Sequence, residues 1–288
     1  MIRLCVLLTV LIFLFFSCNT NPPTSPDVTP TCNLTIKIRI DNSANFLSAD
    51  KVVVLESFTN VGCYPCPITN RIIRQLENET YGSSKLVVVK FPVNFPAPND
   101  LFYLAAKEIC DFRMDYYNVF FAPTIIIDGM LKPVASDSLS IKAAIDSRLA
   151  VTPKFEVNIN ALLDGDYTID ISIRILDSSG INMSDLIINT AITETEIEFQ
   201  QPPGSNGETK FYDVIRLLLP SNNGISLRQL ADEGELLFEF EDVLISDWNL
   251  EKLSTVVYIQ NTSTKEIYQA GSTSNNYYLP LFKIKKCC

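Results

Sequence analysis

From residue 34 to residue 40 apolar and polar side chains alternate, with Leu34, Ile36, Ile38 and Ile40 on one side and Thr35, Lys37 and Arg39 on the other. A period of two is that of a strand with one buried face. Residues 42–50 form a polar connector, and the pattern then changes. Val52–Leu55 is an unbroken apolar run, as expected of a strand covered on both sides. Ile68, Ile72 and Leu76 recur at helical spacing up to about Tyr81. KLVVVKF (85–91) reads as a second buried strand, and FPVNFPAPND (91–100) as a proline-rich loop. Residues 100–118 read as one helix with an apolar stripe of Leu101, Leu104, Ala105, Ile109 and Phe112. PTIIIDG (123–129) is a third strand, and Asp128-Gly129 predicts a hairpin into MLKPVA (130–135). DSLSIKAAIDSRLA (137–150) opens on a capping Asp or Ser and predicts a last helix. The predicted order is β-α-β-α-β-β-α.

Beyond Pro153 helical spacing nearly vanishes. Phe155, Val157 and Ile159 alternate with Glu156, Asn158 and Asn160, and Asp164-Gly165 marks a turn. Tyr167, Ile169, Ile171, Ile173 and Ile175 then alternate with polar residues. Further strand-like runs lie near 185–199, 211–219, 235–243, 253–260 and 265–270, and QQPPGSNGET (200–209) is the longest break. Roughly seven strands with turns between them predict an antiparallel, Ig-like sandwich. Trp248, Phe238 and Phe240 are assigned to its core.

The first residues, MIRLCVLLTVLIFLFFSCNT, change the picture of where the chain works. One cation, Arg3, precedes an apolar run from Leu4 to Phe16 that is short for a bilayer span and suits a secretory signal. Ser17 before Cys18 resembles a bacterial lipoprotein signal over residues 1–17. That resemblance makes Cys18 the lipid anchor; an ordinary signal peptide with a nearby cut is the alternative. Residues 18–31, rich in Pro, Ser and Thr, suit a tether. Composition adds exclusions. The chain of 288 residues carries 23 Lys plus Arg against 33 Asp plus Glu, a net charge of −10 that argues against nucleic acid as a partner. It contains no His, which removes Ser/His/Asp and Cys/His nucleophile pairs and His-ligated metals. No metal and no bound cofactor is expected. Of the eight Cys, Cys32, Cys63, Cys66, Cys110, Cys287 and Cys288 remain after the signal and anchor are set aside. An exported protein can keep such residues as disulfides.

Candidate chemistry centres on FTNVGCYPCPITN (58–70), where Cys63 and Cys66 stand between a buried strand and a helix. A zinc half-site would need two further ligands from a chain with no second pair at this spacing. A structural bridge closing so short a loop would contribute about 2 kcal/mol in the loop-entropy model. A redox dithiol fits the context best. A helix N-terminus stabilises a thiolate, so Cys63 would be the nucleophile and Cys66, one turn inside, would resolve the mixed disulfide. Pro65 and Pro67 cost little in a first turn. Cys110 lies beside the helix stripe and reads as a buried thiol. Phe91, Phe95, Phe102 and Tyr103 are candidates for a substrate surface or for plain packing.

VVVLESFTNVGCYPC (52–66) together with FAPTIIIDG (121–129) resembles the thioredoxin fold over residues 46–150. The resemblance implies a cis Pro123 facing the dithiol, with the backbone of Ala122 offered to an incoming peptide beside Tyr64 and Pro65. The mature chain is also similar to a family of Gram-negative outer-membrane lipoproteins with an N-terminal thioredoxin-like domain and a C-terminal β-sandwich, through LESFTNVGCYPCP and VVYIQNTSTKEIYQA. The implied organisation is signal 1–17, tether 18–31, strand and connector 32–45, thioredoxin-like domain 46–150, sandwich 153–282 and tail 283–288. Against the thioredoxin pattern, Gly62 stands where Trp is usual, and Ser57 stands where a buried acid is usual. Glu56 falls on the opposite strand face. No His lies between the cysteines, so a moderately to strongly reducing couple is expected. The implied activity is thiol–disulfide exchange on exported cysteine-containing proteins, on a chain anchored in the envelope, at the outer membrane. The alternative is a non-catalytic surface lipoprotein that binds a macromolecule on a thioredoxin scaffold.

Overall fold

The computed structural model describes residues 33–40, 49–164, 166–230, 234–243 and 248–275. β1 (Asn33–Ile40) is the alternating strand. The apolar run before the cysteines forms β2 (Val53–Thr59), buried on both faces. α1 (Cys66–Gln75) follows, extended by a π-helical turn at Leu76–Tyr81. β3 (Leu86–Pro92) then lies parallel to β2, from Val53↔Leu86 to Thr59↔Pro92. The proline-rich loop leads to α2 (Leu101–Ala105), α3 (Lys107–Tyr117), β4 (Thr124–Ile127) and α4 (Ser138–Leu149). β4 pairs antiparallel with β2.

Two expected features differ. The single helix over 100–118 is broken at Ala106, whose backbone leaves the helical region. The break resets the phase, so Phe102, Tyr103, Ala106, Cys110, Met114 and Tyr117 are buried while Leu101 and Leu104 face out. After β4 the predicted hairpin strand is reduced to one bridge, Ile127↔Leu131. The backbone there has another partner: Ile267 N–H donates to the Asp128 carbonyl, and a Cβ on Gly129 (φ 72°) would sit 1.9 Å from the Lys265 carbonyl oxygen. The turn between two later strands therefore occupies the ground a hairpin would need.

The rest is strand: β5 (Phe155–Asp164), β6 (Asp166–Ile175), β7 (Leu186–Glu194), β8 (Ile197–Glu198), β9 (Lys210–Phe211), β10 (Val214–Leu219), β11 (Ile225–Ser226), β12 (Gly234–Val243), β13 (Leu253–Asn261) and β14 (Ile267–Ser272). β5, β6, β12 and β1 form a four-stranded antiparallel sheet. β8 and β9 pair only with each other, and the remaining strands do not make a second sandwich sheet of their own. β10 joins β3 in parallel at Val214↔Lys90, and β7, β13 and β14 follow antiparallel, so one eight-stranded sheet runs β14-β13-β7-β10-β3-β2-β4 with β11 beside β7.

Three layers of packing hold this sheet. One face of β2 and β3 (Val53, Leu55, Leu86, Val88) packs with Ile73 of α1 and Ile141 and Ile145 of α4. The opposite face (Val54, Phe58, Val87, Val89, Phe91) packs with α3 and reaches Ile215, Leu218, Val256 and Tyr258. The four-stranded sheet covers the far end, where Ile169, Ile171, Phe238 and Phe240 meet Ile188, Ile192, Val257 and Ile259, with Trp248 packed against them. Strands from both halves of the sequence therefore share one core.

Candidate active-site turn

β2 runs into the turn Asn60–Pro65, and α1 begins at Cys66. Cys63 N–H donates to the Asn60 carbonyl (3.0 Å), and Cys66 N–H donates to the Cys63 carbonyl (3.2 Å). Cys63 and Cys66 are joined by a disulfide, with Cα atoms 5.4 Å apart. Both sulfur-bearing residues are covered, Cys63 at 2% exposure and Cys66 at 0%, whereas Tyr64 between them is 75% exposed and Pro65 is exposed. α1 has no acidic residue in its first turn and no side-chain cap. Its first-turn N–H groups are taken up by the preceding backbone, Cys66 by Cys63 and Ile68 by the Pro65 carbonyl (3.2 Å), and Pro67 has none, so the helix dipole is what favours negative charge on a sulfur at this end. The buried side of α1 is Cys66, Thr69 and Ile73; of the expected stripe Leu76, in the following turn, is buried, Ile72 packs at the edge of the core, and Ile68 faces solvent.

Long-range polar contacts hold the turn from two sides. Asn60 Nδ2 donates to the carbonyls of Val93 (2.6 Å) and Ala97 (2.9 Å), and its Oδ1 accepts from Gly62 N–H (2.7 Å). Asp100 accepts from Val61 N–H (2.8 Å) with one oxygen and caps α2 through Phe102 and Tyr103 N–H with the other. Burial pushes the Asp100 carboxyl up, and the three backbone donors oppose this. A Cβ on Gly62 would lie 2.6 Å from the Ala97 Cβ, so the proline-rich loop leaves no room for a larger residue there. From the other side Asn206 N–H donates to the Val61 carbonyl (2.9 Å), and its Nδ2 donates to the Asn60 carbonyl (3.3 Å). Glu208 accepts from Asn70 Nδ2 of α1 at 2.9 and 3.1 Å. None of these polar residues stands out in the sequence, because each carries ordinary loop chemistry until the fold brings it to the turn.

The Ala122–Pro123 bond is cis. The register Phe58↔Thr124 sets Pro123 next to the last residue of β2, at the base of the turn. Just before it, Phe120 and Phe121 are 79% and 68% exposed. Of the aromatics weighed as substrate surface or plain packing, Phe91 and Tyr103 are buried in one core cluster with Phe95 packed against it, and Phe102 is buried in another with Val61, Phe211 and Val214.

Glu56 points away from α1. It is fully buried, accepts from Arg113 Nε (3.0 Å) and Tyr117 OH (2.5 Å), and forms an ion pair with Arg113. Ser57 is buried with no partner for its hydroxyl. Opposite it on β3 is Lys90, also buried, whose amine is pushed down by burial; Asp213, whose backbone carbonyl accepts from Lys90 N–H (2.8 Å), has its carboxyl pushed up by burial. Cys110 is buried and unpaired by disulfide, and burial raises its thiol. Cys18, Cys32, Cys287 and Cys288 lie outside the described residues. A separate cavity of about 800 Å³ opens on the four-stranded sheet, lined by Lys37, Asn158, Asp170, Glu239 and Gln269 among others, and includes no residue of the dithiol turn.

No family model and no curated protein matches the chain. Solved structures do. HBP35 of Porphyromonas gingivalis, a thioredoxin-fold protein, is 16% identical over 84% of this chain and 80% of its own, with a TM-score of 0.67. Protein AGR_C_4864 of Agrobacterium tumefaciens is 16% identical over 81% of this chain and 97% of its own, with a TM-score of 0.52. A domain of the outer membrane lipoprotein Omp28 of Porphyromonas gingivalis is 16% identical over 42% of this chain and 86% of its own, with a TM-score of 0.29. The fold is mixed α/β with a large sheet, and the similarity supports a thioredoxin-like architecture.

Proposed function

We propose that this chain carries out thiol–disulfide exchange on exported cysteine-containing proteins. The observation that carries the reading is the Cys63–Cys66 disulfide seated between β2 and the uncapped N-terminus of α1, beside the Pro123 loop. In the reduced protein the Cys63 thiolate attacks one sulfur of a partner disulfide and releases the other as a thiolate. Cys66 then attacks Cys63, closes the disulfide and frees the partner's second thiol. Two electrons pass to the partner, and no bound cofactor is needed. Tyr64, Pro65 and the backbone of Ala122 line the approach, and exposed Phe120 and Phe121 extend it as an apolar rim for a peptide. The absence of a His between Cys63 and Cys66, which would stabilise the thiolate, supports a reducing couple. Lipid anchoring through Cys18 in the cell envelope, at the outer membrane, would place the site among exported partners. Among the described residues no helix is long and apolar enough to cross a membrane.

The second reading is a binding lipoprotein on a thioredoxin scaffold. The burial of both cysteines and the 800 Å³ cavity on the other sheet favour it. Titration of the Cys63–Cys66 pair against glutathione, with free thiols counted by mass tagging, separates the two. A reversible two-electron transition with rapid alkylation of Cys63 supports exchange. A pair that stays oxidised, or reacts only after unfolding, transfers the function to the binding reading.

A further inference from the structure

The loop between β8 and β9 lies directly on the dithiol turn, although about 140 residues of chain separate them. Its contact is backbone to backbone: a Cβ on Gly204 would sit 2.3 Å from the Val61 carbonyl oxygen. Asn206 engages the carbonyls of both Asn60 and Val61, the residues that immediately precede Gly62 and Cys63. Its Nδ2 also donates to Glu208 (2.8 Å), which fixes that carboxylate against Asn70. Asn70 is one turn past Cys66, about 6 Å along the helix axis. Charged groups on α1 and the elements packed around this turn include Arg71, Arg74, Glu77, Lys90, Asp100, Asp213 and Glu208. Of these, Arg74 lies over the Tyr212 ring at 4.2 Å, and Asp100 is bound to backbone donors. Glu77 is paired with Arg74 near the far end of α1, whereas Glu208 is hydrogen-bonded to Asn70, one turn past Cys66.

We propose that Asn206 and Glu208 are positioning residues of the dithiol, a clamp from the β8–β9 loop that holds the turn closed over Cys63 and sets its redox balance. This rests on the exchange reading above. A helix N-terminus favours negative charge nearby, and two like charges near it repel each other. Glu208, fixed on Asn70, already supplies one such charge, so a thiolate on Cys63 is repelled by it, and the disulfide is favoured over the reduced pair. The clamp also restricts approach to the flank of Pro123, Phe120 and Phe121, so a partner must meet the apolar rim before it meets the sulfur.

The test uses the full chain with Cys63, Cys66 and Cys110 kept and its other cysteines replaced by Ser. The reaction is the protein disulfide with two glutathione thiols, giving the protein dithiol and glutathione disulfide. The two glutathione sulfurs are oxidised, the Cys63–Cys66 bond breaks, and both protons pass to the protein thiols. Glu208→Gln keeps an oxygen for Asn70 and removes the charge. It is expected to move the equilibrium toward the protein dithiol roughly two- to fivefold, and to shift the pH profile of Cys63 alkylation to lower pH. Asn206→Ala frees the carboxylate and the turn. It is expected to move both quantities in the same direction and serves as the independent check if the first variant does not fold. Wild-type exchange with both quantities unchanged in the folded variants would overturn the clamp and leave the exchange reading standing. A wild-type pair that glutathione does not reduce would overturn both.

Discussion

At the level of single residues, most of the polar chemistry is buried and its consequences are electrostatic. The Glu56–Arg113 pair is fully enclosed between β2 and α3. Removing one partner leaves an uncompensated charge, so Arg113→Met should cost about 3–5 kcal/mol in urea unfolding, and Arg113→Met with Glu56→Leu should recover most of it. Because Glu56 faces α3, the double variant should leave the glutathione equilibrium of the dithiol unchanged; a shifted equilibrium would place Glu56 in the redox chemistry. Asp213 gives a pH signature. Its carboxyl is held above the ordinary value by burial, so the folded chain binds this proton more tightly than the unfolded chain. The stability it contributes is complete below about 3.9 and is lost as pH rises through the raised value. Lys90, with its amine lowered, acts at higher pH: there stability increases from its lowered value up to the ordinary lysine value. Asp213→Asn should therefore flatten the fall of the urea midpoint above pH 4, and an unchanged slope would remove Asp213 as its cause. Cys63, Cys66 and the two-faced placement of Glu56 were legible in the sequence, because spacing and strand period are local. Asn60, Asp100, Asn206 and Glu208 were not, because their role exists only through contacts with distant segments.

At the level of elements, the types of helix and strand were readable while their phases were not. The stripe expected across 100–118 assumed one unbroken helix, and the break at Ala106 turned Leu104 outward. In α1 the expected stripe held at Leu76 and partly at Ile72 but failed at Ile68, because Cys66 and Thr69 take the buried side of the first turn. The loop before β4 is where sequence pattern and exposure disagree most, since Phe120 and Phe121 stand out in solvent. If they form the peptide rim, Phe120→Ser with Phe121→Ser should slow reduction of a protein disulfide about tenfold or more while leaving reaction with glutathione unchanged, at a loss of about 1.4 kcal/mol or more of transition-state binding. Equal slowing of both substrates would show instead that the loop shapes the dithiol itself.

At the level of the whole molecule, the decisive feature is a sheet that continues from β3 into β10 through Val214↔Lys90. The face of β2 and β3 that packs on α3 also touches Ile215, Leu218, Val256 and Tyr258, so residues from beyond Pro153 complete the core around the dithiol domain. Unfolding should then be one event. Trp248, the single tryptophan, reports on the far sheet by fluorescence, and alkylation of buried Cys110 reports on α3. Their urea midpoints should coincide, and two separated midpoints would mean that the halves are stable alone. What the sequence alone determined was local: which segments are strands or helices, that a dithiol stands at a helix start, that no His chemistry is present, and that the chain resembles a thioredoxin-like architecture. Periodicity and short spacings carry that information within a few residues. The tertiary structure decided the shared sheet, the burial of Cys63 and the contact of the β8–β9 loop with the turn. These depend on close approach of segments far apart in the chain, and no local pattern of apolar and polar residues encodes which distant loop will meet which turn.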